Sequence, residues 1–538
     1  MKELIETLLG NIVRKIAPDF KGGILVEAPE NKEYGDYTAN IAFALSKILR
    51  KSLQEITKNL VDELEKQKIS DFSKIESKNG FINFFLSPEC FYRQIKEILK
   101  QKDKYGRIDT KKSPPSLKLR RAMQVEFISA NPTGPLTIGH GRGGFYGDTL
   151  ANILESQGYK VAREYYINDR GEQILSLGRS IKTVQGFKVN SENIYKGEYI
   201  SELAKQIDKK LNTEEAGQKT VELILKTYIR PVIKRLGIKF DNWFSEKSLY
   251  KGNKYEEIME DLMRKNFIYE KDGATWMKTS QLGDSEDRVL IKKDNSETYF
   301  LSDILYHFDK FKIRKFDKVI DIWGADHHGY APRLKAALEV LGIPKDNLEI
   351  IITQLVRLVK EDKEFKISKR AGVFVTLEEL IKETGLDAAR FFFLMYSPNT
   401  HMDFDMGLAK QRSEKNPVYY VQYAHARITS ILRKVKSKNF QFSIFNFQFL
   451  KEKEELGLIR RLTEFPEILN EISKNYEVHR LPRYALELSK NFHNFYEKCR
   501  VITEDENLTS ARLGLVMAIK IVLANALNLM GIKAPNEM

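Results

Sequence analysis

Residues 125–144 read VEFISANPTGPLTIGHGRGG, and the fold class turns on how they are interpreted. Val125–Ser129 is short, apolar and rich in β-branched and aromatic residues, which predicts a strand. A Pro- and Gly-rich turn follows, and the pattern Gly147–Gln157 predicts a helix. Four of the last six residues of the stretch are glycine (Gly139, Gly141, Gly143, Gly144), which lets backbone approach a ligand closely. The following helix start offers unpaired N–H groups and a positive dipole to phosphate, and His140 is placed to donate to a phosphate oxygen. A structural strand–helix turn would carry the same glycines, so both readings stand on this stretch alone.

Outward from this turn the same alternation recurs. VAREYYI (Val161–Ile167), VIDIWG (Val319–Gly324) and EIIIT (Glu349–Thr353) read as further strands, with helices between them. Such alternation implies a Rossmann-like α/β domain with a parallel sheet, expected over residues 115–385. Roughly Ser176–Ser285 is mostly amphipathic helix and too long for a connection, so it reads as a helical insertion. Residues 1–108 mix helical patterns with the β-rich Gly80–Leu86, which predicts an α+β N-terminal domain. The run DTKKSPPSLKLRRAM (Asp109–Met123) reads as a linker. Residues 386–538 are nearly all helical by period, which predicts a C-terminal helical bundle; the Phe-rich Asn439–Leu450 reads as a loop packed on it.

Length and composition agree with a large globular chain. It has 538 residues, 42% hydrophobic and 11% aromatic, which excludes disorder over most of its length. It carries 88 Lys and Arg against 74 Asp and Glu, a formal +14. Residues 410–538 hold 21 of these cations against 14 acids, so half the excess lies in the last quarter of the chain. Either this is a solvated Lys-rich surface, or the C-terminal part meets a polyanion such as nucleic acid. The two cysteines, Cys90 and Cys499, support neither a disulfide framework nor a zinc site, and point to a reducing compartment. The N-terminus patterns as an amphipathic helix rather than a signal peptide. The apolar stretch Leu513–Met530 is broken by Lys520, Asn525 and Asn528, so no membrane span is expected.

Three more stretches carry chemistry. KEFKISKRAG (Lys363–Gly372) has four cations in ten residues; it is a solvated loop or, in a phosphate-binding domain, a clamp in which Lys366 and Lys369 neutralise a leaving pyrophosphate. IWGADHHGY (Ile322–Tyr330) ends a strand, so Gly324, Asp326 and His327 face the crevice where open α/β sheets bind ligands. Its adjacent histidines do not face one way, and zinc is not expected. YFLSD (Tyr299–Asp303) is a helix start or surface pair; in a pocket, its carboxylate and ring suit a planar cation.

With those residues in view, the chain resembles the class I aminoacyl-tRNA synthetases through the GH turn and KISK. More narrowly, YYINDRGEQI, YFLSDILYH, GADHHGY, KISKRAG, DAARFFFL and NPVYYVQYAHARI, together with GDYTAN near the start and the APNEM ending, resemble bacterial arginyl-tRNA synthetases over essentially the whole chain. The resemblance implies ATP-dependent activation of L-arginine to arginyl-adenylate and transfer to tRNA(Arg), with Mg²⁺ accompanying ATP as substrate and no tightly bound cofactor. It implies a signature motif over Ala130, Asn131, Pro132, Thr133, Gly134, Pro135, Leu136, Thr137, Ile138, Gly139 and His140. Ser129, Asn131 and the turn through His140 would hold the amino acid and α-phosphate; Gly324 and Asp326 the adenosine; Lys366, Ser368 and Lys369 the ATP phosphates. Tyr299, Asp303 and Glu126 would receive the guanidinium, with His327 bordering the amino acid. His140, Lys366 and Lys369 would be catalytic. Residues 1–108 would touch the tRNA elbow, and the bundle would bind the anticodon, where Tyr419, Tyr420 and Tyr423 either stack bases or pack the core. One departure stands out: Thr137 replaces the usual first His of the signature. A cytoplasmic monomer is expected. The rival readings are a nucleotidyl-transferring relative without tRNA-binding ends, and a catalytically silent tRNA-binding paralogue.

Overall fold

The computed structural model describes residues 1–29, 31–108, 122–189, 193–252, 254–327, 329–360, 363–364, 376–436 and 445–538. The N-terminal part pairs strands β1 (Val26–Glu27), β2 (Tyr37–Ala39), β3 (Phe72–Lys78) and β4 (Phe81–Leu86) antiparallel in the order β1-β2-β4-β3. Alternation on β4 buries Ile82 and Phe84 against the helices Lys2–Ile16 and Leu53–Glu65, whose apolar stripes face inward.

The central sheet comes next. Its strands are β5 (Ala122–Glu126), β6 (Lys160–Ile167) and β7 (Asn242–Ser245), then, after a small antiparallel sheet of β8 (Ile268–Lys271), β9 (Ala274–Met277) and β10 (Arg288–Ile291), strands β11 (Lys318–Gly324) and β12 (Leu348–Thr353). The order is β12-β11-β5-β6-β7 and every pairing is parallel, with Ile320 opposite Val125 and Asp321 opposite Glu126. From β5 the chain steps one way through β6 and β7. It returns to the other side of β5 with β11 and continues to β12. The order therefore reverses between β5 and β11, the place where an open α/β sheet leaves a crevice at its carboxyl ends.

Four sequence expectations are corrected. The helix after β5 runs Ile138–Ser156 rather than starting at Gly147, because Thr137 caps it. Some of its glycines are packing positions, since a Cβ on Gly141, Gly144 or Gly147 would meet Leu377 at 2.6 Å, Ile128 at 3.0 Å or Phe127 at 2.3 Å, whereas one on Gly139 or Gly143 would meet nothing closer than 3.9 or 3.6 Å. Residues 176–285 are not all helix, since they include β7 of the central sheet and the small sheet's first two strands. NWFS is too short to show a period. After Leu386 a strand β15 (Met402–Asp405) still pairs, in parallel, with β13 (Val356–Lys360), which also pairs with β14 (Lys363–Glu364); the all-helical part starts later. Ala122 and Met123, read as linker, open β5.

The C-terminal bundle is built from helices Pro417–Lys436, Lys453–Thr463, Phe465–Asn475, Arg480–Lys498 and Glu506–Leu529. The last is long and apolar enough to cross a membrane, but most of it is buried inside the bundle. Phe447 packs on it over Gly514, where a Cβ would lie 2.7 Å from the ring. The N-terminal part docks on the bundle through the GDYTAN motif. The Tyr37 hydroxyl donates to Glu467 (3.0 Å), and Asp36 both pairs with Arg460 and accepts from Leu86 N–H (2.8 Å). One apolar core runs continuously from Ile5 to Ile532; a second lies between the small sheet and the helices Tyr299–Phe308 and Ala331–Val340.

Candidate active site

The crevice between β5 and β11 collects most of the residues singled out from sequence. Past Glu126 the chain leaves β5 with Ile128 and Ser129 at φ +67° and +36°, a left-handed excursion by two non-glycine residues that costs about 1–3 kcal/mol each. Local bonds hold it. Ser129 Oγ accepts from Tyr166 N–H (3.0 Å), Ala130 O from the Tyr165 hydroxyl (2.9 Å), and Thr133 O from the Tyr199 hydroxyl (2.9 Å). Pro132, Leu136 and Ile138 are buried, Gly134 and Pro135 are half-buried with Gly134 under the Tyr199 ring, and Asn131 and Gly139 are exposed.

Thr137 is the N-cap, and its backbone N–H donates to His140 Nδ1 (2.9 Å); its hydroxyl lies 3.1 Å from the same nitrogen. A neutral imidazole that accepts at Nδ1 carries its proton at Nε2, so His140 presents a donor. The signature helix is tied to the helix Leu377–Thr384: Leu377 N–H donates to Leu136 O (2.9 Å), and Thr137 forms a bridge with Thr376. Arg142, two residues beyond His140, is buried without a carboxylate partner among the described residues. Its guanidinium donates to the carbonyls of Gln354 (2.9 Å), Ser397 (2.8 Å) and Thr400 (2.6 Å), pinning the helix to the start of β13. Burial lowers its pKa to about 10. Lys366, Ser368 and Lys369, later in sequence than β14, lie outside the described residues.

Across the crevice β11 ends at Gly324, and Asp326 and His327 occupy a single tight turn, both exposed and 3.7 Å apart. A Cβ on Gly324 would come within 2.8 Å of Asp326 Oδ1. The His327 ring packs near Trp323 and Tyr330.

The deeper part of the crevice is acidic. Tyr299 and Asp303 lie on one face of the helix Tyr299–Phe308, capped by the Thr298 hydroxyl. Asp303 is part-buried and accepts the Tyr330 hydroxyl at Oδ2 (2.5 Å). Burial raises its carboxyl, against the pull of that hydrogen bond. Glu246, directly after β7, joins it: its Oε2 is buried with no partner among the described residues. Burial, with Asp303 adding to it, pushes Glu246 up to about 7, while Ser302 and Arg170 hold it back. Tyr299, raised by burial and by Glu246, is hydrogen-bonded by Gln173. Two further buried acceptors, Asn168 Oδ1 and Gln173 Oε1, have no partner among the described residues. Tyr166 lies in the field of Glu246, Asp303 and Glu126 together.

Glu126 belongs to a buried charge cluster beneath this pocket. Lys310, in a π-helical turn (Asp309–Ile313), donates to Glu126 Oε2 (2.6 Å) and Asp321 Oδ1 (2.8 Å). His307 bridges Asp321 Oδ2 (2.7 Å) and Asp303 O (2.7 Å). The cation and imidazole hold Asp321 below the ordinary carboxylate value despite burial, whereas burial leaves Glu126 above it. Glu246, Lys310, Arg142 and the pairing of Tyr330 with Asp303 were not legible beforehand. The only sequence signal for Tyr330 was its place in GADHHGY, and for Glu246 there was none, since SEKS lies in a segment read as helix. In the bundle, Tyr419 and Tyr423 stack (6.3 Å, 8°) and Tyr423 stacks on His493 (5.9 Å, 16°), with Tyr423 exposed and Tyr420 half-buried.

A glycine-bearing helix at a parallel-sheet switch point, facing a crevice, is an arrangement shared by many nucleotide-binding α/β folds, and the family match places this one among the class I aminoacyl-tRNA synthetases. Residues 94–395 match the family of class I (R) tRNA synthetase catalytic domains, residues 3–86 the arginyl tRNA synthetase N terminal domain, and residues 421–538 the DALR anticodon binding domain. The chain belongs to the arginyl-tRNA synthetase family. It is 40% identical to the arginine–tRNA ligase of Aquifex aeolicus, with both chains covered completely, and 42% identical to that of Bacillus pumilus over 96% of this chain and 94% of the relative. The crystal structure of a putative arginyl-tRNA synthetase from Campylobacter jejuni superposes with a TM-score of 0.75 at 35% identity, covering 84% of this chain and all of that one.

Proposed function

We propose that this chain ligates L-arginine to tRNA(Arg) in two steps. The arginine carboxylate attacks the α-phosphorus of ATP, giving arginyl-adenylate and pyrophosphate; a ribose hydroxyl at the tRNA terminus then takes the arginyl group and AMP leaves. The observation that carries the reading is the acidic pocket, in which Glu246 lies within electrostatic reach of both Asp303 and Tyr299 and keeps a buried oxygen without a partner among the described residues. A guanidinium supplies donors on a rigid plane that such acceptors need, and leaving them unpaired rejects lysine by about 10⁴-fold or more.

The residue roles follow the family resemblance, and for the described residues the placement above supports them. His140, donating from Nε2, and the exposed Gly139 at the helix start receive the α-phosphate, with Thr137 at the cap. Lys366, Ser368 and Lys369 receive the pyrophosphate, which enters as ATP in its Mg²⁺ complex. Gly324 and Asp326 hold the adenosine and His327 borders the amino acid. Ser129 keeps its own O–H for the substrate while accepting from Tyr166 N–H, and Asn131 faces the same mouth. Glu126 sets the negative field of the pocket while Lys310 occupies its Oε2. Residues 1–108 contact the tRNA elbow, 115–385 catalyse and 386–538 read the anticodon, with the Tyr419–Tyr423–His493 stack as the base platform. The enzyme acts as a cytoplasmic monomer without a membrane partner. Pyrophosphate exchange with ATP, run across several amino acids with and without tRNA, tests this: exchange with arginine alone is expected, and none with any amino acid would refute it.

A further inference from the structure

Tyr330 is placed between the two halves of the site. Its backbone N–H donates to His327 O (3.0 Å), so it closes the turn that carries Gly324, Asp326 and His327. Its ring is gripped on one side by Trp323 and His327 (5.9 and 6.3 Å) and on the other by Phe300 (6.0 Å), from the helix that bears Asp303. This packing leaves the phenol little freedom, and its hydroxyl ends 2.5 Å from Asp303 Oδ2. Asp303 Oδ1 has no partner among the described residues, and Asp303 keeps a part-exposed surface. One oxygen of the carboxylate is thus fixed from the ATP side and the other is open to the pocket.

We propose that Tyr330 is a positioning residue for arginine selection: its hydroxyl holds the Asp303 carboxylate in one orientation and in its ionised form, ready for the guanidinium. The inference rests on the reading that Asp303 receives that group. A hydroxyl donor stabilises a carboxylate over a carboxylic acid, and a fixed acceptor spares the ligand the ordering cost of a rotating one. The groups around Asp303 would otherwise favour its protonation or leave it balanced. Glu246 after β7 and Asp321 on β11 repel a second negative charge, the Tyr166 phenol of β6 lies close by, and His307 of its own helix and His327 across the crevice attract it. Tyr330 supplies the largest single pull toward the ionised form.

The test compares Tyr330→Phe and Asp303→Asn in the full-length enzyme, by pyrophosphate exchange with tRNA present and by calorimetric titration with L-arginine at several pH values. Tyr330→Phe is expected to raise KM for arginine about 10- to 100-fold, the loss of one hydrogen bond to a charged group. It should leave KM for ATP and the melting temperature nearly unchanged, and move the acid limb of kcat/KM for arginine to higher pH, because Asp303 without its donor protonates more readily. If Asp303→Asn weakens arginine binding while Tyr330→Phe changes neither KM nor the pH limb, Tyr330 is idle and the inference falls alone. An Asp303→Asn variant that binds arginine as before overturns the reading of Asp303 and the inference with it. Equal losses toward ATP and arginine in Tyr330→Phe would mark a merely structural role and also overturn it.

Discussion

Replacing Lys310 by methionine removes a fully buried cation that holds two carboxylates from adjacent strands, Glu126 of β5 and Asp321 of β11. The side chains are similar in length, so packing changes little and the effect is electrostatic. Breaking a buried ion pair by deleting one partner costs about 3–5 kcal/mol, because the remaining charge stays in a dry interior. At about 2–3 °C per kcal/mol, the catalytic domain should melt about 6–15 °C lower at neutral pH. The penalty depends on pH in a definite direction. Glu126 already sits above its ordinary pKa through burial, with Lys310 opposing the rise, so the variant pushes it higher. The folded variant then binds more protons than the unfolded chain, and its stability falls as pH rises from the unfolded carboxylate value through the raised one. The deficit against the parent should therefore be smaller at pH 5 than at pH 8 by calorimetry, and adding Glu126→Gln should recover part of it. A drop under about 2 °C that is the same at both pH values would refute the reasoning.

Within the same site, Glu246→Gln should raise KM for arginine about 10- to 100-fold with KM for ATP unchanged, measured by pyrophosphate exchange; an effect confined to ATP would exclude Glu246 from the arginine pocket. In the parent enzyme, arginine affinity should fall as pH drops through about 7, where Glu246 takes up its proton, and titration calorimetry in buffers of different ionisation enthalpy should detect proton release on binding just below that pH. Thr137→His should alter single-turnover adenylate formation only modestly, since the backbone N–H of residue 137 sets His140; a several-hundred-fold change would contradict this. Arg142→Met leaves the part-buried carbonyls of Gln354, Ser397 and Thr400 without this donor and should lower stability by about 1–3 kcal/mol, read as a lower melting temperature.

Much of the architecture could be read before the structure, because strands buried on both faces print as apolar runs. Ala122–Glu126, Lys160–Ile167, Lys318–Gly324 and Leu348–Thr353 each lie within a residue or three of the run that predicted them. The glycines beside His140 were legible as glycines but not in their job. Whether a missing Cβ admits a phosphate or a neighbouring Leu377 depends on what the fold brings near: Gly141 and Gly144 admit side chains, while Gly139 and Gly143 leave room. NWFS and MDFD, at four residues each, carry too little period to announce themselves, and their membership in sheets is settled by partners 78 and 46 residues away in the chain.

Linear order alone carried the elements and the chemistry-bearing types at the strand ends: an imidazole after β5, a carboxylate and rings after β11, an aromatic and an acid opening a helix. Local spacing writes such features, so they survive without coordinates. Which of these residues act on one another was set in three dimensions. Folding brought Glu246 into the pocket of Asp303, gave Oδ2 of Asp303 to Tyr330, and gave Glu126 to Lys310. Those assignments turn on hydrogen-bond distances between residues far apart in the chain, and on burial that raises the cost of every unpaired charge; neither quantity has a counterpart in a string of residues.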